Sequence, residues 1–84
     1  MDGYYVMAQI FDTPSHYGIA EGRISRLNIY KNREASKKFL NYLINYDRKW
    51  DEGVTQDATI RGIIEKLVQH YDQKRVDWEF EEKR

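Results

Sequence analysis

Histidines and carboxylates are the residues of this chain that could carry acid–base or metal chemistry, and their spacing argues against both. His16 and His70 are the only two histidines, and neither has a second ligand at metal-site spacing. The 84 residues contain no cysteine, so thiolate metal sites and disulfides are excluded. No serine lies in a nucleophile-elbow pattern, and Gly18 and Gly22 are too few for a phosphate cradle. We therefore expect no catalytic residue, no metal, no cofactor and a function other than catalysis.

Basic residues cluster in the middle of the chain. A basic loop beside exposed tyrosines is typical of proteins that bind single-stranded nucleic acid, and we expect Tyr30, Tyr42 and Tyr46 near the basic residues. A net charge of zero and a pI of about 6.7 are far from the basic footprint of such proteins, so nucleic acid is the second choice of partner. The residues that would bind it are Lys31, Arg33, Lys37 and Lys38.

Aromatic residues indicate binding to another protein. The chain has seven tyrosines and two tryptophans, more rings than so small a core readily buries. Tyrosine, tryptophan and arginine are enriched at the energetically dominant positions of protein interfaces. We expect Trp50 in the core, and Trp78 and Phe80 as exposed anchors. The complete set of predicted partner-binding residues is Arg23, Arg48, Trp78, Phe80 and Tyr30.

The stretch YGIAEGRIS (residues 17–25) has the glycines of a turn between two apolar runs. Arg23 opens the second run and has two alternative roles. It braces the neighbouring strands in a polar cluster with Asp47 and Arg48, or it stays free to bind an anion or an acidic partner. The bracing role is the favoured one.

Two runs predict β-strands. YYVMAQIF (residues 4–11) is rich in aromatic and β-branched residues, and both of its faces are apolar, which favours a central position in the sheet. RISRLNIY (residues 23–30) predicts the second strand. FLNYLINYDRKW fits both helical and strand periodicity, and we favour a strand over a helix at 39–47.

Apolar residues at helical spacing predict an amphipathic helix near residues 56–72. Thr55 is its predicted N-cap, with Asp57 in the first turn. Gly62 lies inside the helix, where we expect it to allow a close approach to the sheet. The tail then alternates Val76, Trp78 and Phe80 with charges, which predicts an edge strand or an interface segment.

YGIAEGRISRL and the later NYDRKWD resemble the motifs YGI-x-x-GRIS and NYDR-x-WD of small, uncharacterised proteins from Gram-positive bacteria and their phages. The matching residues are Tyr17, Gly18, Ile19, Gly22, Arg23, Ile24 and Ser25, and then Asn45, Tyr46, Asp47, Arg48, Trp50 and Asp51. Glycine is expected where this chain has Glu21 and Lys49. The resemblance implies a strand around Asn45 and a setting of phages and mobile elements. It carries no established activity, although many small phage proteins act by blocking a host protein, defence nucleases included.

Together these observations predict an α+β domain. We expect an antiparallel three-stranded β-meander packed against one C-terminal amphipathic helix, with residues 1–74 as the domain and 75–84 as a charged, aromatic tail. The expected function is a non-enzymatic protein-binding module, in the manner of a phage-encoded, anti-CRISPR-like inhibitor of a host protein. A homodimer is an alternative assembly. The N-terminus lacks the pattern of a signal peptide, and no apolar stretch is long enough to span a bilayer, so we expect a cytoplasmic protein without membrane contact.

Overall fold

An antiparallel sheet with one long helix packed on it forms the body of the molecule. The computed structural model describes residues 3–38, 41–51 and 54–83, and within these residues the chain forms three strands and three α-helices. The strands are β1 (Tyr5–Ile10), β2 (Ile24–Tyr30) and β3 (Tyr42–Asp47). The helices are α1 (Arg33–Ser36), α2 (Ala58–Asp72) and α3 (Trp78–Glu82). The predicted α+β meander is confirmed.

The strands lie in the order β1-β2-β3, so β2 is central and β1 is at an edge. The central position predicted for the first strand is therefore wrong, because a meander places the middle strand of the chain in the middle of the sheet. For the segment 39–47 a strand was favoured over a helix, and the strand is confirmed for residues 42–47. Residues 39 and 40 lie outside the described part of the chain. Pairing of Val6 with Ile29 and of Ile29 with Ile44 aligns apolar side chains across one face.

The core lies between that face of the sheet and the apolar stripe of α2. Ridges of isoleucine and valine from the helix meet Leu27, Ile29 and the ring of Tyr46 from the strands. The buried cluster consists of Ile19, Ile24, Leu27, Ile29, Ile44, Tyr46, Trp50, Ile60, Ile63, Ile64 and Val68. Trp50 is thus in the core, as expected from the sequence.

The start of α2 differs from the prediction. Asp57 is the N-cap, and its Oδ1 accepts the backbone N–H groups of Thr59 at 2.9 Å and Ile60 at 3.2 Å. Thr55 instead accepts the backbone N–H of Asp57 at 3.1 Å, so the predicted Thr55 cap is wrong by two residues. Aspartate is an equally good cap, and its position next to Ala58 places it where the first free N–H groups of the helix lie.

The tail forms a helix and not the edge strand suggested by its alternating rings. Asp77 caps α3 by accepting the backbone N–H of Phe80 at 3.2 Å. Val76 and Trp78 pack against the core cluster, and the Trp78 ring centroid lies 6.4 Å from that of Trp50. The tail therefore packs onto the same core as the sheet and α2 through Val76 and Trp78.

Glu81 fixes α3 in place. Its side chain is buried, with 1% of the residue exposed. Its carboxylate accepts the backbone N–H of Ala20 at 2.6 Å and the Trp50 indole Nε1–H at 3.1 Å. A buried carboxylate with donors from two distant segments joins the tail to the turn at residue 20 and to the core tryptophan.

Arg61 connects α2 to α3. Its Nε donates to the Thr55 carbonyl at 2.7 Å, and its guanidinium lies 4.7 Å from the centre of the Trp78 ring. Its Nη2 donates to Glu82 Oε1 at 3.0 Å. This hydrogen bond favours the ionised form, and together with a bond from Gln56 it holds the pKa of Glu82 below its ordinary value.

The lowered pKa gives a testable pH dependence. The folded-state pKa lies below that of the unfolded chain, so the Glu82 contact stabilises at neutral pH and is lost as pH falls through the lowered value. We expect an acid titration of the Glu82 carboxyl signal by NMR to show this shift, and Arg61→Gln to move the pKa back up. An unchanged titration in Arg61→Gln would contradict the assigned cause.

Candidate protein-binding groove

A shallow groove with exposed rings and basic side chains lies where the residue 16–22 loop, the turn after β3 and α3 come together. It has a volume of about 390 Å³. We call it the Tyr17–Phe80 groove. Tyr17 is 60% exposed and Phe80 is 41% exposed, both high values for residues of this size. The lining residues are His16, Tyr17, Arg48, Lys49, Phe80 and Lys83.

The loop that carries Tyr17 is held by its backbone, which leaves the ring at the surface. The buried Tyr46 hydroxyl donates to the Tyr17 carbonyl at 2.5 Å, and the Tyr17 N–H donates to Ser15 Oγ at 3.1 Å. The His16 ring packs edge-on against Tyr17 with centroids 5.6 Å apart, and His16 Nδ1 lies 2.8 Å from Glu21. A strand residue thus anchors the loop, and the tyrosine ring is presented on a rigid support.

Arg48 is presented by a tight turn at the end of β3. Asp47 N–H donates to the Lys49 carbonyl at 3.0 Å, and Tyr46 pairs with Trp50 in an isolated bridge. The backbone of Arg48 has a φ of 68°, a left-handed conformation that is unfavourable for a residue with a Cβ. Among the described residues its guanidinium has no hydrogen-bond or ion-pair partner. The turn therefore supports an accessible cation at a strained position.

The groove combines positive charge with apolar area, an arrangement that can pair with carboxylates. Arg48, Lys49 and Lys83 supply positive charge, although Lys83 also pairs with Glu79 at 3.1 Å. Tyr17 and Phe80 supply apolar area between the charges. Within residues 3–38, 41–51 and 54–83, no group of three histidine or acidic residues could hold a metal ion.

Sequence comparison identifies the family. A model of the domain of unknown function DUF7678 matches residues 1–72. The chain belongs to this family. No curated protein and no solved structure matches it at a significant level.

The DUF7678 match ends at the last residue of α2. Tyr17, Arg48 and Lys49 of the groove lie inside the matched region, whereas Phe80 and Lys83 come from the segment beyond residue 72. The groove of this DUF7678 chain is therefore built from both parts. No helix in the described part of the chain is long and apolar enough to cross a membrane.

One departure from the motifs expected from the resemblance has a structural counterpart. The resemblance expects glycine at the position of Glu21, and Glu21 has a φ of 55°. Glycine adopts this conformation without steric cost, so a glycine at position 21 would suit the same turn. Lys49, the other departure, directly follows the left-handed Arg48.

Arg23 has different partners from those predicted. Its Nε donates to the Phe11 carbonyl at 2.7 Å, and its Nη1 donates to the Tyr71 carbonyl at 3.2 Å. Its backbone N–H also donates to both carboxylate oxygens of Asp72, at 3.0 and 3.1 Å. Arg23 therefore braces the end of β1 and the end of α2. The ion pair predicted with Asp47 is made by Arg26 instead, at 3.3 Å.

Two other predicted partner-binding residues have little accessible surface. Tyr30 is 2% exposed and its ring lies 6.4 Å from that of Tyr5, so it cannot serve as a surface anchor. Trp78 is half-buried against the core, and its Nε1–H donates to Glu65 at 3.0 Å. Arg48 and Phe80 are the two predicted residues that the fold brings together at one exposed groove.

The basic residues of the predicted nucleic-acid loop are all exposed around α1. Asn32 caps this helix by accepting the Ala35 N–H at 2.8 Å, and Lys37 pairs with Glu34 at 3.3 Å. Two of the tyrosines expected beside this loop have other roles in the fold. Tyr46 is buried, and the Tyr42 hydroxyl donates to Asp51 at 2.5 Å. The exposed basic residues are Lys31, Arg33, Lys37 and Lys38.

Sequence reasoning missed four members of the groove, which are His16, Tyr17, Lys49 and Lys83. Tyr17 belongs to the first of the two motifs, and Arg48 and Lys49 to the second. The Tyr46–Tyr17 hydrogen bond brings these motifs together. The two motifs were the available signal, but the sequence does not show that the loops that carry them meet, which the Tyr46–Tyr17 hydrogen bond does.

Proposed function

We propose that this DUF7678 chain is a non-enzymatic protein-binding module that uses the Tyr17–Phe80 groove. The supporting observation is the pairing of two exposed rings with the accessible guanidinium of Arg48 at one site. Rings supply apolar area with few rotatable bonds, and arginine recognises carboxylates through two parallel hydrogen bonds. The fitting partner presents an acidic surface with an apolar centre.

The proposed mechanism is steric. A domain whose Cα extents are 31 × 26 × 20 Å is large enough to cover the active site or substrate channel of a bound protein. The motif resemblance supports a setting in a phage or mobile element of Gram-positive bacteria. In that setting the partner is a host protein, for example a defence nuclease, in the cytoplasm of the cell.

Capture of partners from a Gram-positive bacterial lysate, with and without nuclease, tests the proposal. We expect the tagged wild-type chain to retain one stoichiometric protein that survives nuclease treatment. Phe80→Ala and Arg48→Glu should each weaken the purified complex by roughly thirtyfold, the effect of losing about 2 kcal/mol at an interface hot spot.

Matched controls separate the groove from general surface effects. Phe11→Ala removes another exposed ring, and Arg33→Glu reverses another exposed charge, and both should leave capture intact. Circular dichroism establishes that all four variants are folded. Equal binding by wild type, Phe80→Ala and Arg48→Glu would show that the groove is not the interface.

The second candidate function is nucleic-acid binding by the basic residues around α1. The supporting observation is that Lys31, Arg33, Lys37 and Lys38 are all exposed. In that case capture would disappear with nuclease, Arg33→Glu would weaken it, and affinity would fall steeply with salt. The same experiment therefore decides between the two candidates.

A further inference from the structure

A larger groove runs along the outer side of α2. It shares no lining residue with the Tyr17–Phe80 groove. It has a volume of about 740 Å³ and is bounded by two turns of the helix and the segment that follows it. We call it the α2 groove. Its lining includes Gly62, Glu65, Lys66, His70, Lys74 and Arg75.

Gly62 is at the end of this groove, and the fold gives no reason for a glycine there. A Cβ built on Gly62 has no neighbouring atom within 4 Å beyond its own helix backbone, so the predicted close approach to the sheet is wrong. Glycine inside a helix is less stable than alanine because it loses more backbone entropy on folding. The residue leaves a notch at the surface at a cost in stability.

The charges of the α2 groove favour an anionic occupant. Lys66, Lys74 and Arg75 carry positive charge around it. The lining carboxylate of Glu65 accepts the Trp78 Nε1–H at 3.0 Å, which reduces its capacity to repel an acid. The lining thus combines an open notch with an excess of cations.

We propose that the α2 groove binds an acidic protein segment, whose backbone approaches α2 closely at Gly62 while its carboxylates meet Lys74 and Arg75. From Gly62 to His70 the groove follows the helix for about 12 Å, the length of roughly four extended residues. A peptide fits the site because an extended backbone can approach α2 at Gly62, where no side chain intervenes. This second site goes beyond the proposed function.

A fluorescein-labelled deca-glutamate peptide is the probe, with deca-thymidylate as the competing polyanion. We expect peptide anisotropy to show binding that weakens with salt. Gly62→Leu and Lys74→Glu should each reduce affinity roughly tenfold. Gly62→Leu is informative because leucine is a good helix former, so the variant should melt at or above the wild-type temperature while it loses the peptide.

Lys31→Glu is the control, since it makes the same charge change at an exposed residue outside the groove. It should change peptide affinity by no more than about twofold. Tyr17→Ala, at a ring that lines the Tyr17–Phe80 groove but not the surface around Lys74 and Arg75, should leave peptide binding unchanged, so failure of this proposal and failure of the Tyr17–Phe80 interface give different results. The proposal is overturned if the peptide does not bind, if Gly62→Leu binds it as well as wild type, or if deca-thymidylate is the tighter ligand.

Discussion

Replacing Glu81 with alanine should lower the free energy of unfolding by about 2–4 kcal/mol. The carboxylate is buried and accepts hydrogen bonds from the Ala20 N–H and the Trp50 indole. Its removal leaves both donors without this acceptor and detaches α3 from the turn. For a chain of 84 residues the whole stability is roughly 4–12 kcal/mol, so the loss is a large part of it.

Urea denaturation followed by tryptophan fluorescence measures this effect. Glu79→Ala is the matched control, because Glu79 lies in the same helix and its exposed pair with Lys83 contributes little. Glu81→Gln should fall between the two, since an amide keeps one acceptor but points its NH₂ at the other donor. If Glu81→Ala were as stable as Glu79→Ala, α3 would not be held by this carboxylate.

The sheet and α2 could be predicted because their signals are local. Apolar residues recur at helical spacing from Ile60 to Tyr71, and the strand runs are rich in β-branched and aromatic residues. At the end of the chain the local sequence pattern is misleading. Glu81 stands among other charges in WEFEEKR, which is typical of a solvated tail, and its burial depends on donors 31 and 61 residues away. The apolar residues of the tail alternate with charges at every second position, which predicted a strand. The segment instead forms a helix that Asp77 caps.

The groove could be predicted only in part. Arg48 and Phe80 were identified because arginine and exposed rings are the residue types of interfaces. Their meeting with Tyr17 depends on a left-handed turn at Arg48 and on the Tyr46–Tyr17 hydrogen bond. Arg23 was expected to brace neighbouring strands with Asp47 and Arg48, but its side-chain acceptors are the carbonyls of Phe11 and Tyr71. Every residue carries a backbone carbonyl, so the sequence does not show which carbonyls accept a hydrogen bond from an arginine.

Gly18→Ala should lower the free energy of unfolding by about 3 kcal/mol, because the added methyl group has no room. Gly18 has a φ of −75°, which any residue can adopt, so the reason is space and not backbone conformation. A Cβ there would lie 2.1 Å from the Gly22 carbonyl oxygen and 2.9 Å from its carbon. These are backbone atoms of the same turn, so relief requires the turn to open.

Gly62→Ala is the same chemical change with the opposite expected sign, because its Cβ meets open space and the helix gains about 0.5–1 kcal/mol. Thermal melts of both variants beside wild type therefore separate steric packing from helix propensity. Opening of the residue 18–22 turn would also displace Tyr17 and release the Ala20 N–H from Glu81, so Gly18→Ala should lose partner binding as well as stability. A Gly18→Ala protein that melted like wild type would mean that this turn is not rigid, and the groove would then lack the fixed support on which its proposed role depends.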